Sequence, residues 1–234
     1  MVYVHPRSTG ALNYQSSVCA DGTLEPGELI AVSAGDGATF SAAPADDREE
    51  VLGITIGLAD PAEVGEFADA HPASSSRSRP PHRKALGVES MVLVGSVLGI
   101  DGPPETSPNT PCQVFILGLG RNKVVEHGVP SNYSVVIHVL SGMGYIMGKP
   151  LWPRRCYPLE SGASGQGIRI RAATDEEIQL ELTNRERTHT EEPGFDEDLV
   201  VLVVCAQEMT EGYEEYGGVV ARNRDALYAL LNKD

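Results

Sequence analysis

The sequence predicts a mainly β protein. It reads as a small β-barrel N-terminal domain (residues 1–118, opening on an N-terminal arm) followed by a second β-rich barrel or sandwich domain (119–234), with few short helices. Three observations lead there. Gly (25) and Pro (16) together make about a sixth of the 234 residues while aromatics are 6%, a composition of short strands and many turns. Apolar side chains at 41% suffice for one large or two modest cores. The apolar segments are short, alternate with period two or are apolar throughout, and turn residues separate them.

In chain order, Glu25-Pro26-Gly27 is a turn signal that leads into a strand over Leu29 to Ser33. Gly35-Asp36-Gly37 then reads as a hairpin turn and Ala38 to Ala42 as a weak returning strand. A polar loop, Ala45 to Glu50, precedes the short buried strand VLGITIG. The segment ADPAEVGEFADAHP predicts a helix: Asp60 caps it, Pro61 opens it, Glu63 completes a capping box, and Pro72 ends it. The following basic, Ser/Pro-rich stretch with Arg77, Arg79, Arg83 and Lys84 reads as a surface loop or as an arm reaching an acidic neighbour. MVLVGSVLGI and QVFIL are strands around a Pro-rich loop, and a boundary falls near Gly118 to Gly128.

In the second half, SVVIHVL and YIM, joined by Ser141-Gly142-Met143-Gly144, suit a hairpin. IRIRAA and IQLEL alternate like half-buried strands, LVVLVVCA is apolar on both faces like a central strand, and RNRDALYALLN is helical.

Charge narrows the function classes. Asp and Glu number 33 against 18 Lys and Arg, a net of -15, which argues against a nucleic-acid partner. No apolar run approaches the roughly 20 residues of a membrane span, and the N-terminus lacks the apolar stretch of a secretory signal. Fourteen Arg against four Lys in an acidic chain suit a salt-loving source, or a high-GC genome. Acid is concentrated at residues 174 to 216, where 14 acids meet only Arg185 and Arg187; this reads as a solvated rim.

Motif tests for chemistry fail one by one. Cys19, Cys112, Cys156 and Cys205 form no CxxC and are expected as free thiols, Cys205 buried. Gly142, Gly144 and Gly148 miss the dinucleotide spacing, and Pro150 and Pro153 stand where the phosphate-binding helix would run. There is no P-loop. The histidines (His5, His71, His82, His127, His138, His189) show no local metal-ligand spacing. SGASGQG is no nucleophile elbow, and the acid pairs Asp175/Glu176 and Asp196/Asp198 match no EF-hand. The sequence therefore predicts no catalytic, cofactor-binding or metal residue and no cofactor. The competing reading is a cupin-like barrel enzyme or small-ligand binder with a pocket within residues 120 to 210, for which His127, His138, Tyr145 and Glu160 are the candidate groups.

The stretch Gly22 to Gly57 resembles the head decoration, or capsid cement, proteins of tailed viruses. The resemblance rests on Glu25-Pro26-Gly27-Glu28-Leu29-Ile30, Gly35-Asp36-Gly37, Ala43-Pro44-Ala45-Asp46-Asp47 and Val51-Leu52-Gly53-Ile54-Thr55-Ile56, with VLVGSVLGI as a later strand of the barrel. It covers at most residues 18 to 118. It implies a non-enzymatic virion protein on the capsid surface, a symmetric homo-oligomer partnered by the major capsid protein, or else a tail or baseplate component. On that reading Met1 to Gln15 lies extended along a neighbouring subunit, and its removal leaves the fold intact.

Overall fold

The computed structural model describes residues 1–33, 39–57, 74–104, 111–131, 133–159, 167–186, 197–207, 214–216 and 219–221. They form two compact units, the first built on Met1–Pro80 with the last strands of the chain, the second on Pro81–Pro104 and Pro111–Glu208. The architecture is mainly β, as the turn-rich composition predicts.

In the first unit, β1 (Val2–Val4), β2 (Leu12–Ser16), β3 (Gly22–Leu24), β4 (Leu29–Ser33), β5 (Phe40–Pro44), β6 (Gly53–Thr55) and β7 (Ser74–Ser78) make two antiparallel sheets. Their orders are β6-β1-β4-β7 and β3-β2-β5. Val2, Val4, Leu12, Tyr14, Leu24 and Ile30 form the core, with Tyr14 stacked on Phe40 at 5.7 Å between ring centroids.

The first unit departs from three expectations. Met1 to Gln15 is no arm: β1 is an interior strand between β4 and β6, and β2 lies between β3 and β5, so its apolar residues fill their own core. The strand after β4 does not return beside it, because β5 pairs with β2 while β4 pairs with β1 and β7. The basic stretch is neither loop nor reaching arm: it supplies β7, and Arg77 and Arg79 both pair with Glu28 of the same unit.

The second unit contains β8 (His82–Ala85), β9 (Val88–Val94), β10 (Ser96–Val97), β11 (Ile100–Asp101), β12 (Cys112–Leu119), β13 (Val124–His127) and β14 (Tyr133–Ser141). It continues with β15 (Gly144–Ile146), β16 (Lys149–Leu151), β17 (Cys156–Leu159), β18 (Ile168–Ala172), α1 (Asp175–Glu186) and β19 (Leu199–Gln207). A six-stranded sheet, β17-β14-β19-β12-β9-β8, faces a four-stranded one, β13-β18-β15-β16. Phe115, Leu117, Ile137, Val139, Val201 and Val203 from the larger sheet meet Ile146, Ile168 and Ile170 from the smaller in one barrel core. β19 is central, as its two-sided apolar run predicts.

The division between units falls near residue 80, not at the expected 118/119. β12 ladders with β19 from Cys112 to Leu119, so the chain on both sides of residue 118 belongs to one sheet.

Two local expectations also change. β14 and β15 form no hairpin, because they lie in different sheets. The chain crosses between them at Gly142, whose φ is 73° and where a Cβ would collide with the Asp198 carbonyl. IQLEL is helical, lying within α1. Thr174 Oγ1 accepts from the Glu177 amide while the Glu177 carboxylate accepts from the Thr174 amide, a reciprocal cap that starts a helix. Ile178 and Leu182, four apart, pack against Met143 and Ala173, and Leu180, which completes the apparent alternation, is left exposed.

The last strands, β20 (Glu214–Tyr216) and β21 (Val219–Ala221), pair with each other. The helices expected over 59–72 and near the C-terminus lie outside the described residues, as does the turn at Gly35 to Gly37. Among the described residues no helix is long and apolar enough to cross a membrane.

Candidate functional site

The barrel of the second unit carries a polar relay at one end of its apolar interior. On β13, Val125 and His127 turn inward and their neighbours outward, a strict period-two pattern. On β12, Gln113 shares the inward parity of Phe115 and Leu117. The side chains of His127 and Gln113 meet with Nε2 and Oε1 2.9 Å apart, and the His127 ring stands edge-on to Phe115 with centroids 5.0 Å apart. Gln113 in turn donates from Nε2 to the Ser96 carbonyl at 2.9 Å.

This chain of bonds fixes the imidazole tautomer. A backbone carbonyl accepts only, so the Gln113 amide nitrogen faces Ser96 and its oxygen faces His127. An amide oxygen also only accepts, so His127 Nε2 carries the ring hydrogen. Burial lowers the His127 pKa below its usual 6.5, so the ring is neutral at neutral pH and Nδ1 holds a bare lone pair. Among the described residues Nδ1 has no hydrogen-bond partner. His127 is 8% exposed, so the relay ends in an oriented acceptor at the edge of an apolar interior. Tyr133 packs against the same core, its hydroxyl pKa raised by burial and then by the nearby thiols of Cys112 and Cys205.

The other candidates do not join His127. His138, on β14, has the parity of Val136 and faces away from Ile137 and Val139; its Nδ1 lies 3.0 Å from the Cys156 sulfur. Tyr145 lies outside the barrel under the Arg171 guanidinium, 4.4 Å from its ring centroid. Arg171 there makes two 2.8 Å bonds to Glu177, which hold the Glu177 carboxyl down at about 2 with help from the Thr174 amide. That network caps α1 and is structural. Glu160 lies outside the described residues. Gln113 and Ser96 are absent from the sequence-based candidates. The available signal was one amide at an inward position of an otherwise apolar strand.

No family model and no curated protein matches the sequence. Solved structures do. Two structures of quercetin 2,3-dioxygenase from Acinetobacter baumannii align with TM-scores of 0.70 and 0.72 at 17% and 15% identity. They cover 97% and 99% of this chain, which spans 65% and 72% of theirs. The fold is cupin-like. A bacterial pirin, YhhW from Escherichia coli in complex with nickel(II), aligns with a TM-score of 0.56 at 16% identity over 89% of this chain and 72% of its own.

These likenesses overturn the resemblance to capsid decoration proteins. The fold extends over nearly the whole chain, whereas that resemblance rested on short strand–turn–strand pieces that many β proteins share. The expected capsid partner, symmetric shell oligomer, virion location and tail or baseplate alternative rested on it and fall with it, and the non-enzymatic expectation, which drew on it and on the missing motifs, is overturned as well. The nickel of the pirin complex finds no matching ligand set: among the described residues no three His, Cys, Asp or Glu side chains are placed to hold a metal ion.

Proposed function

We propose that the chain binds a small hydroxylated organic molecule at the His127 end of the second unit's barrel. His127 Nδ1 accepts the ligand's hydroxyl and, in an enzymatic step, takes its proton. The observation that carries this reading is the Ser96–Gln113–His127 relay, which holds one ring nitrogen protonated and leaves the other a directed base. The surrounding apolar wall suits an aromatic or aliphatic skeleton with few polar groups. The cupin-like fold supports a ligand-binding barrel, and the dioxygenase neighbours act on quercetin, a polyphenol, which makes polyphenols the first class to test.

Calorimetric titration of the chelator-treated full chain with quercetin, and with an analogue whose hydroxyls are methylated, tests the proposal. Binding of the free polyphenol alone is expected, weakened about tenfold or more in His127→Ala, the equivalent of a lost hydrogen bond of about 1.4 kcal/mol. His138→Ala should bind like the parent. Because His127 must be neutral to accept, affinity is expected to hold as pH falls through 6.5 and to drop only as pH passes through its lowered pKa. Equal binding by His127→Ala would refute the assignment.

A further inference from the structure

A second reactive arrangement lies on the opposite face of the larger sheet. Cys156 on β17 and His138 on β14 are directly paired residues, so their side chains leave the same face. The ring Nδ1 is 3.0 Å from Sγ. The backbone holds the pair in register, since the Val139 amide donates to the Arg155 carbonyl at 2.9 Å and the Arg154 amide to the Val139 carbonyl at 2.7 Å. Cys156 is exposed, whereas Cys19 is half-buried and Cys112 and Cys205 are buried. Burial pushes the thiols of Cys112 and Cys205 up to about 11 and about 12, which leaves them inert at neutral pH. His138 is flanked on β19 by apolar Leu202 and Val204. The charged neighbours of Cys156 along the chain are Arg154 and Arg155, both of the sign that favours a thiolate.

We propose that Cys156 and His138 form a thiol–imidazole pair that undergoes thiol–disulfide exchange with small disulfides. The Cys156 S–H bond breaks with its proton passing to His138 Nδ1, and Sγ attacks one sulfur of the small disulfide. A mixed disulfide forms, the incoming S–S bond breaks, and the departing thiolate takes its proton back from the imidazolium. No net oxidation occurs, because one disulfide replaces another. The site is separate from His127 and does not depend on the ligand proposed there.

The size of the effect is bounded. An ordinary thiol with pKa about 8.5 is about 3% thiolate at neutral pH, so full activation gains at most about thirtyfold. The lower nucleophilicity of a more acidic thiol returns part of that, leaving about tenfold. The test treats the full chain with limiting 5,5′-dithiobis(2-nitrobenzoate), follows release of the coloured thiolate, and maps the labelled cysteine by peptide mass. Cys156 should carry the first label, and Cys156→Ser should lose the fast phase. His138→Gln should slow it about tenfold at neutral pH and change the pH dependence of the rate. First labelling at Cys19, or an unchanged rate and profile in His138→Gln, would overturn the proposal. The mapping uses the unaltered protein, so the first of these outcomes needs no variant to fold.

Discussion

Three hairpin tips of the second unit place a large apolar residue where the backbone favours a small polar one. Leu86-Gly87, Leu98-Gly99 and Met147-Gly148 each have positive φ at both positions, with Leu86 at 53° and Gly87 at 79°. They connect paired strand ends, Ala85 to Val88, Val97 to Ile100 and Ile146 to Lys149. Such turns match the right-handed twist of the strands they join, and Asn-Gly or Asp-Gly is their preferred sequence. A leucine in the left-handed region costs about 1–2 kcal/mol against its ordinary conformation. Leu86 is 91% exposed, so almost no burial offsets that cost, while Leu98 at 39% keeps part of its side chain covered. Leu86→Asn is therefore expected to stabilise the protein by about 0.5–1 kcal/mol, and Leu98→Asn by less. Urea midpoints at constant slope would measure both, and a destabilised Leu86→Asn would mean that the leucine makes a contact its exposure does not reveal.

Helix α1 explains both what was legible in the sequence and what was not. LVVLVVCA reads correctly as a central strand, because eight residues apolar on both faces have no other home in a β protein. IQLEL does not, because Ile178, Leu180 and Leu182 satisfy period two as well as they satisfy a helix with one leucine in solvent. The deciding signal stood four residues earlier, in Thr174 and Glu177 and a first turn of three acids. The barrel topology was hidden for a related reason. Partners such as β12 and β19 lie far apart in sequence, and inward parity says what a strand buries but not against which strand. His127 could be named from sequence, whereas its partner Gln113 could not, since only the fold brings the two strands' ends together. The cap itself is testable. Thr174→Ala is expected to cost about 1 kcal/mol. Glu177, held at about 2 chiefly by its bonds to Arg171, has its folded pKa below the usual 4.5. Its contribution is thus present above about 4.5 and is lost as pH falls towards about 2, and Glu177→Gln should flatten the stability profile across that window.

The two units differ in what they ask of the N-terminal segment. Val2, Tyr3, Val4, Leu12 and Tyr14 are all buried in the first unit. At about 1.5–3 kcal/mol per large side chain, their burial contributes about 8–15 kcal/mol before entropy is counted. That is as large as the whole net stability of a typical domain, about 5–15 kcal/mol. The backbone loss compounds it: without β1, strands β4 and β6 lose the neighbour between them, and without β2, strands β3 and β5 lose theirs. Deleting residues 1–15 is therefore expected to unfold the first unit rather than to free an assembly arm. Among the described residues no strand in either large sheet of the second unit comes from residues 1–80, so β12, β14 and β19 have their hydrogen-bonding partners intact. Hydrogen exchange on the truncated chain should accordingly show protection lost across Leu29–Ser33, Phe40–Pro44 and Gly53–Thr55 and kept across Leu199–Gln207. Retained protection in β4 and β6 would show that the sheet closes without its interior strand, and loss across β19 would show that the barrel's stability draws on the first unit as well as on its own ladders.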